Sequence, residues 1–176
     1  GVKMSEENWI VPNIVFKTRV KDEEGKFGWV DVTSMEYFGD KRVILFSLPG
    51  AYTPTCSTYQ LPDFEKLAPE FKKIGIDDIY CMSVNDSFVM NAWAKSQNLQ
   101  NVKVIPDGGG EFTRQMGMLV RKDPEGFGYR SWRYAMVIND GVVEKIWEEP
   151  GKQDDCPTDP YENTKPQDIL KELKEE

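Results

Sequence analysis

Four consecutive β-prone apolar residues, Val43-Ile44-Leu45-Phe46, constrain this chain more than any other stretch. An apolar run with no polar alternation is the pattern of a strand covered on both faces. Ile79 to Val84 reads as a second buried strand, and Val102 to Ile105 as a third strand. Between them the apolar spacing changes to that of helices. Strands covered on both sides and separated by helical segments require an α/β layer architecture.

The remaining elements follow from local pattern. Leu61, Phe64, Leu67, Phe71 and Ile74 are spaced for a helix from Cys56 to about Ile74, stopped by Gly75. Pro62 and Pro69 predict a kink or two shorter helices there. A second helix, from about Ser87 to Gln97, carries Val89, Met90, Trp93 and Ala94, and a short one surrounds Phe112 to Met116. Trp9 to Thr18 and Phe27 to Val32 read as an N-terminal β-hairpin. Tyr134 to Ile138 and Val142 to Trp147 flank Asn139-Asp140-Gly141, a hairpin turn. Pro166 opens a last amphipathic helix with Ile169, Leu170 and Leu173 on one side. The expected fold is a mixed central sheet with helices on both faces and an N-terminal β-hairpin extension. One domain is expected over residues 1–176, with Gly1 to Lys3 read as appended ahead of Met4. In such sheets reactive groups gather at the carboxyl ends of parallel strands, where Pro49 to Cys56 falls.

Absences narrow the chemistry. The chain has no His, which removes Ser-His-Asp and Cys-His hydrolysis and His-ligated metals. Lys and Arg number 22 against 30 Asp and Glu, a net charge of −8 without a basic run, so nucleic acid is not an expected partner. No apolar stretch is long enough to span a bilayer and no signal-peptide pattern opens the sequence, so no membrane partner and a cytoplasmic, reducing location are expected. Three cysteines, at 56, 81 and 156, make neither a disulfide framework nor a zinc ribbon. No metal or other cofactor is expected.

Cys56 leaves the first buried strand through Ser47-Leu48-Pro49-Gly50-Ala51-Tyr52-Thr53-Pro54-Thr55 and enters a helix. Unpaired amides and the positive dipole end favour a thiolate in a first helical turn. Thr53, three residues earlier, can turn its hydroxyl toward the sulfur. On spacing alone, a reactive thiolate and a small buried core cysteine stand as equal readings.

The spacing Pro49-x-x-x-Thr53-x-x-Cys56 resembles the active-site signature of the peroxiredoxins, and Pro-Gly-Ala-Tyr-Thr-Pro-Thr-Cys is most similar to the peroxiredoxin-5 subfamily, including the peroxiredoxin part of glutaredoxin-linked hybrid forms. Ser131-Trp132-Arg133-Tyr134-Ala135-Met136-Val137 resembles the strand that brings the family's arginine beside the reactive sulfur. Ser83-Val84-Asn85-Asp86-Ser87-Phe88 and Gly141-Val142-Val143 agree with it. The resemblance runs from about Pro12 to Leu173. It implies a thioredoxin fold and a thiol peroxidase acting on hydrogen peroxide and small alkyl hydroperoxides. It implies that Cys56 is the peroxidatic thiolate, that Arg133 polarises the peroxide, and that Thr53 with the Cys56 amide holds it. Pro49 would shield the sulfenic acid. It also implies recycling by glutaredoxin with glutathione or by thioredoxin, and a homodimer with Tyr52 near the contact. The rival from another class is a redox sensor or interaction module switched by Cys56 oxidation without turnover.

Cys81, within Ile79-Tyr80-Cys81-Met82-Ser83-Val84, reads as a structural thiol. Cys156 lies in a polar segment, Lys152-Gln153-Asp154-Asp155-Cys156-Pro157-Thr158-Asp159, where exposure is expected and three flanking acids should raise its pKa. Two readings stand: a resolving cysteine, as the resemblance implies for some members, or an incidental loop thiol. Cys56-Ser57-Thr58-Tyr59 lacks the second cysteine of a CxxC pair. Asp107-Gly108-Gly109-Gly110-Glu111 fails the dinucleotide glycine pattern and reads as a flexible turn. Glu172 to Glu176 reads as a solvated helix end. The five tryptophans read as core or interface anchors.

Overall fold

The computed structural model describes residues 2–4 and 9–176. Gly1, first of the three residues read as appended, lies outside them. Six strands form one sheet in the order β1 (Val2–Met4), β10 (Val142–Glu148), β9 (Tyr134–Asn139), β4 (Arg42–Ser47), β5 (Asp78–Ser83) and β6 (Val102–Pro106). β4, β5 and β6 are parallel, whereas β9 runs antiparallel to both β4 and β10. The three runs of the sequence are therefore the parallel strands, β4 and β5 inside the sheet and β6 at its edge. Alternation along them divides the core: Ile44 and Phe46 point into one apolar layer, Val43 and Leu45 into the other.

Helices cover both layers, as expected. α2 (Leu61–Lys73), α3 (Ser87–Ser96) and α5 (Pro166–Lys174) bury Phe64, Phe71, Met90, Trp93, Ile169 and Leu173 on the Phe46 side. α1 (Ser34–Phe38) and α4 (Glu111–Gln115) bury Phe38 and Phe112 on the other side. Local chemistry sets the ends. Asp86 accepts from the Val89 amide at 2.9 Å to start α3, and Thr33 and Glu36 form a reciprocal cap on α1. Asp140 and Gly141 both take positive φ, the turn that suits the twist between β9 and β10.

Several expectations change in detail. The N-terminal hairpin pairs β2 (Val15–Lys21) with β3 (Phe27–Thr33), while Ile10 makes only a single bridge to Val142. α1 and a second hairpin, β7 (Leu119–Lys122) with β8 (Gly128–Ser131), carry too few apolar residues to have shown a period. Pro69 does not divide α2. The change of winding lies earlier, where Cys56–Gln60 forms a π turn before Pro62 in the first turn of α2. The Asp107 loop is a tight cap: the buried Asp107 carboxylate accepts from the Phe112 and Thr113 amides at 3.2 and 2.8 Å and from the Thr113 hydroxyl at 2.6 Å. The C-terminal acids are engaged, since Glu172 accepts from the Trp147 indole at 2.7 Å and Glu176 pairs with Arg42 and Lys145.

Candidate active site

Register builds the site. Ser47, last in β4, pairs with Tyr134, first in β9, so the residue before Tyr134 must lie beside the loop that leaves β4. That residue is Arg133, one position ahead of the strand. The loop is fastened on two sides: Asn85, just past β5, accepts from the Ala51 amide at 3.0 Å, and Arg130 donates to the Pro49 carbonyl at 2.9 Å. A Cβ on Gly50 would meet the Arg130 guanidinium, so a larger residue there would displace the end of that side chain. Tyr52 holds φ at +65°, a strained value of the kind that concentrates at functional loops. Helical winding begins at Pro54, which places Cys56 in the first turn, where amides have no carbonyl within the helix.

Cys56 and Arg133 are both buried, and Arg133 Nη1 lies 3.5 Å from Cys56 Sγ. The same nitrogen donates to Gln60 Oε1. Nη2 donates to Asp159 Oδ1 at 2.7 Å and Nε to the Pro160 carbonyl at 3.2 Å. The Tyr161 ring lies 5.6 Å from the guanidinium carbon. Burial works against the charge on Arg133, yet the Cys56 sulfur and Asp159 carboxylate outweigh it and push its pKa upward. Burial lowers the pKa of Arg130, with the Cys56 charge opposing that shift. The thiol is in contact with the Arg133 guanidinium, while the Arg130 guanidinium holds the loop ahead of it.

Arg133 meets Cys56 directly, while Thr53 lies one turn ahead of the sulfur, its carbonyl accepting from the Ser57 amide at 2.9 Å, and Pro49 lies on the same loop. The Thr53 hydroxyl donates to the Gly50 carbonyl at 2.7 Å, which commits its hydrogen and leaves its oxygen as an acceptor. Cys81 lies in the same apolar layer as Cys56, and burial holds its thiol well above the usual range. Gln60, Arg130, Asn85 and Asp159 also belong here and were not singled out. For Gln60 a signal existed: a polar residue between Tyr59 and Leu61, on the helical stripe one turn from Cys56. Its amide nitrogen is buried without a partner among the described residues.

Cys156 is not where its neighbours suggested. It is 5% exposed and belongs to the apolar layer across the sheet from Cys56. The flanking acids look elsewhere, Asp154 and Asp155 toward Arg121 and Asp159 toward Arg133. Burial raises the Cys156 pKa, but hydrogen bonds with Thr158 and Gln153 and the nearby Lys122 charge outweigh it, so the net shift is downward. Both the expected exposure and the expected upward shift are thereby corrected.

Residues 27–164 match the Redoxin family. The chain is 67% identical over 168 residues to a peroxiredoxin of Rhizobium etli, covering 93% of this chain and 94% of that one. It is 53% identical over 163 residues to the hybrid peroxiredoxin hyPrx5 of Haemophilus influenzae, covering 93% of this chain and 64% of that protein. The crystal structure of a Plasmodium falciparum antioxidant protein, a 1-Cys peroxiredoxin, superposes with a TM-score of 0.91 at 33% identity, over 97% of this chain and 100% of that one.

Proposed function

The chain belongs to the peroxiredoxins, of the peroxiredoxin-5 type, and is a thiol peroxidase with a thioredoxin fold; from that premise we propose that Cys56 is the sulfur that reduces the peroxide and Arg133 the group that activates it. The observation that carries the assignment is the 3.5 Å approach of Arg133 Nη1 to Cys56 Sγ inside a site closed to water. Membership in an enzyme family displaces the rival reading of a sensor without turnover.

In the proposed reaction a sulfur lone pair attacks the nearer peroxide oxygen, an S–O bond forms and the O–O bond breaks. Hydrogen peroxide and small alkyl hydroperoxides are the substrates, since the burial of Cys56 favours a small oxidant. The farther oxygen leaves as hydroxide or alkoxide and takes up a proton to give water or an alcohol. Arg133 hydrogen-bonds the oxygens as charge moves onto them. Thr53, its own hydrogen committed to Gly50, accepts from the peroxide O–H, and the Cys56 amide donates to the peroxide. Pro49, held through its carbonyl by Arg130, keeps water from the sulfenic acid.

Recycling then needs two thiols. The first condenses with the sulfenic acid to a mixed disulfide and water. The second displaces Cys56 as a thiol and leaves with the first as a disulfide. We assign both to an external thiol, glutathione with glutaredoxin, because Cys156 lies across the sheet. A homodimer joined near the exposed Tyr52 completes the proposal. The test is intact mass after one equivalent of hydrogen peroxide. The parent should gain one oxygen and then form a mixed disulfide with glutathione, and Cys56→Ser should gain nothing. Equal oxidation of the Cys56→Ser protein would overturn the assignment.

A further inference from the structure

Each guanidinium nitrogen of Arg133 has a partner on this chain, and those partners differ in kind. Gln60 lies on the same turn as Cys56, so it moves with the sulfur. Asp159 and Pro160 belong instead to the long connection between β10 and α5, and they hold the opposite edge of the group. The Arg133 side chain is 1% exposed, whereas that of Asp159 is 45% exposed. A half-exposed carboxylate satisfying a fully buried guanidinium differs from a pair between two solvated side chains. Without it a buried donor has no acceptor.

We propose that Asp159 is a positioning residue for peroxide reduction: its carboxylate fixes the outer edge of the Arg133 guanidinium so that Nη1 is aimed at Cys56 Sγ. The inference rests on the roles given above to Cys56 and Arg133. The guanidinium is planar and rigid, but the chain that carries it has several free torsions. Three fixed points, Gln60 inside and Asp159 with Pro160 outside, remove that freedom, and Tyr161 closes the remaining face. The carboxylate has an opposing effect as well. Its negative charge weakens the positive field that Arg133 and Arg130 place on the sulfur. Aim and field therefore predict opposite results when the charge is removed, which makes the proposal decidable.

The experiment compares the parent with Asp159→Asn and Asp159→Glu in two single-turnover reactions, hydrogen peroxide and iodoacetamide at Cys56, the alkylated site being identified by peptide mass. Peroxide reduction needs Arg133 aimed and alkylation does not. The expected result is a loss of about tenfold or more in the peroxide rate of Asp159→Asn, with alkylation unslowed and the peroxide rate largely recovered in Asp159→Glu. A peroxide rate for Asp159→Asn within about twofold of the parent, or above it, would overturn the proposal. So would an equal slowing of both reactions. Alkylation of Asp159→Asn faster by about tenfold or more would also overturn the proposal, because exposure of the buried thiol and not lost aim would then account for the change. A parent inert to peroxide would instead overturn the assignment of Cys56, so the two failures are distinguishable.

Discussion

Cys56 and Cys156 occupy opposite faces of the central sheet, each within its own apolar layer. Sheet and packed layer are spaced by about 10 Å, whereas two cysteines that bridge need Cα atoms within about 7 Å. A bond between them would require one segment to leave its core.

Cys156→Ser should therefore turn over peroxide with glutathione as reductant at a rate within about twofold of the parent. Intact mass after oxidation should show one added oxygen in both proteins. Loss of two hydrogens from the parent, absent in Cys156→Ser, would restore the resolving role.

Arg133→Lys keeps the charge and loses the planar array of donors. Lysine cannot hold Gln60, Asp159 and Pro160 while also facing the sulfur. The peroxide rate should fall by roughly 10²–10³-fold, as when a preorganised donor is lost. Stopped-flow single turnovers measure it, with circular dichroism to verify the fold.

Glu65 links α2 to the start of β6. Its carboxylate accepts from the Gln100, Asn101 and Val102 amides at 2.9 to 3.1 Å. Burial raises its pKa, but those hydrogen bonds outweigh burial and the folded value is depressed. A depressed value contributes stability above the unfolded pKa, which is lost as pH falls through the folded one. Glu65→Gln should be about 1 kcal/mol less stable at neutral pH, allowing for solvent screening, and the gap should narrow on acidification. Urea unfolding at a series of pH values tests this.

Phe46 and Phe64 stack with centroids 4.1 Å apart and planes within 10°, joining β4 to α2 directly behind the Cys56 loop. Phe64→Ala should cost about 3–5 kcal/mol, read by thermal melting. A loss below about 1 kcal/mol would mean that the layer collapses to fill the space.

The central strands and the reactive cysteine were legible because their signals are local. Val43 to Phe46 is apolar without interruption, and Pro49, Thr53 and Cys56 lie within eight residues. Cys156 was misjudged because its acidic neighbours find partners far away in sequence. Asp155 is held by Arg121, 34 residues earlier, and that arginine lies on a hairpin whose own pattern is faint. Polarity in a loop reports solvent only when the polar groups lack such partners. Gln60 and Asp159 were missed for a related reason: each acts through Arg133, and a side chain 26 or 73 residues distant leaves no spacing to read.

The π turn at Cys56–Gln60 closes through a bond from the Leu61 amide to the Cys56 carbonyl, one residue more than an α turn would use. Each residue of a helix turns the chain by about 100°. Removing one residue from this turn would leave α2 wound as before and swing the sulfur about 100° around the helix axis. The aim of Cys56 is thus written in the number of residues as well as in their identities. A scan of substitutions would never find that constraint, and a single-codon deletion between Ser57 and Gln60 would.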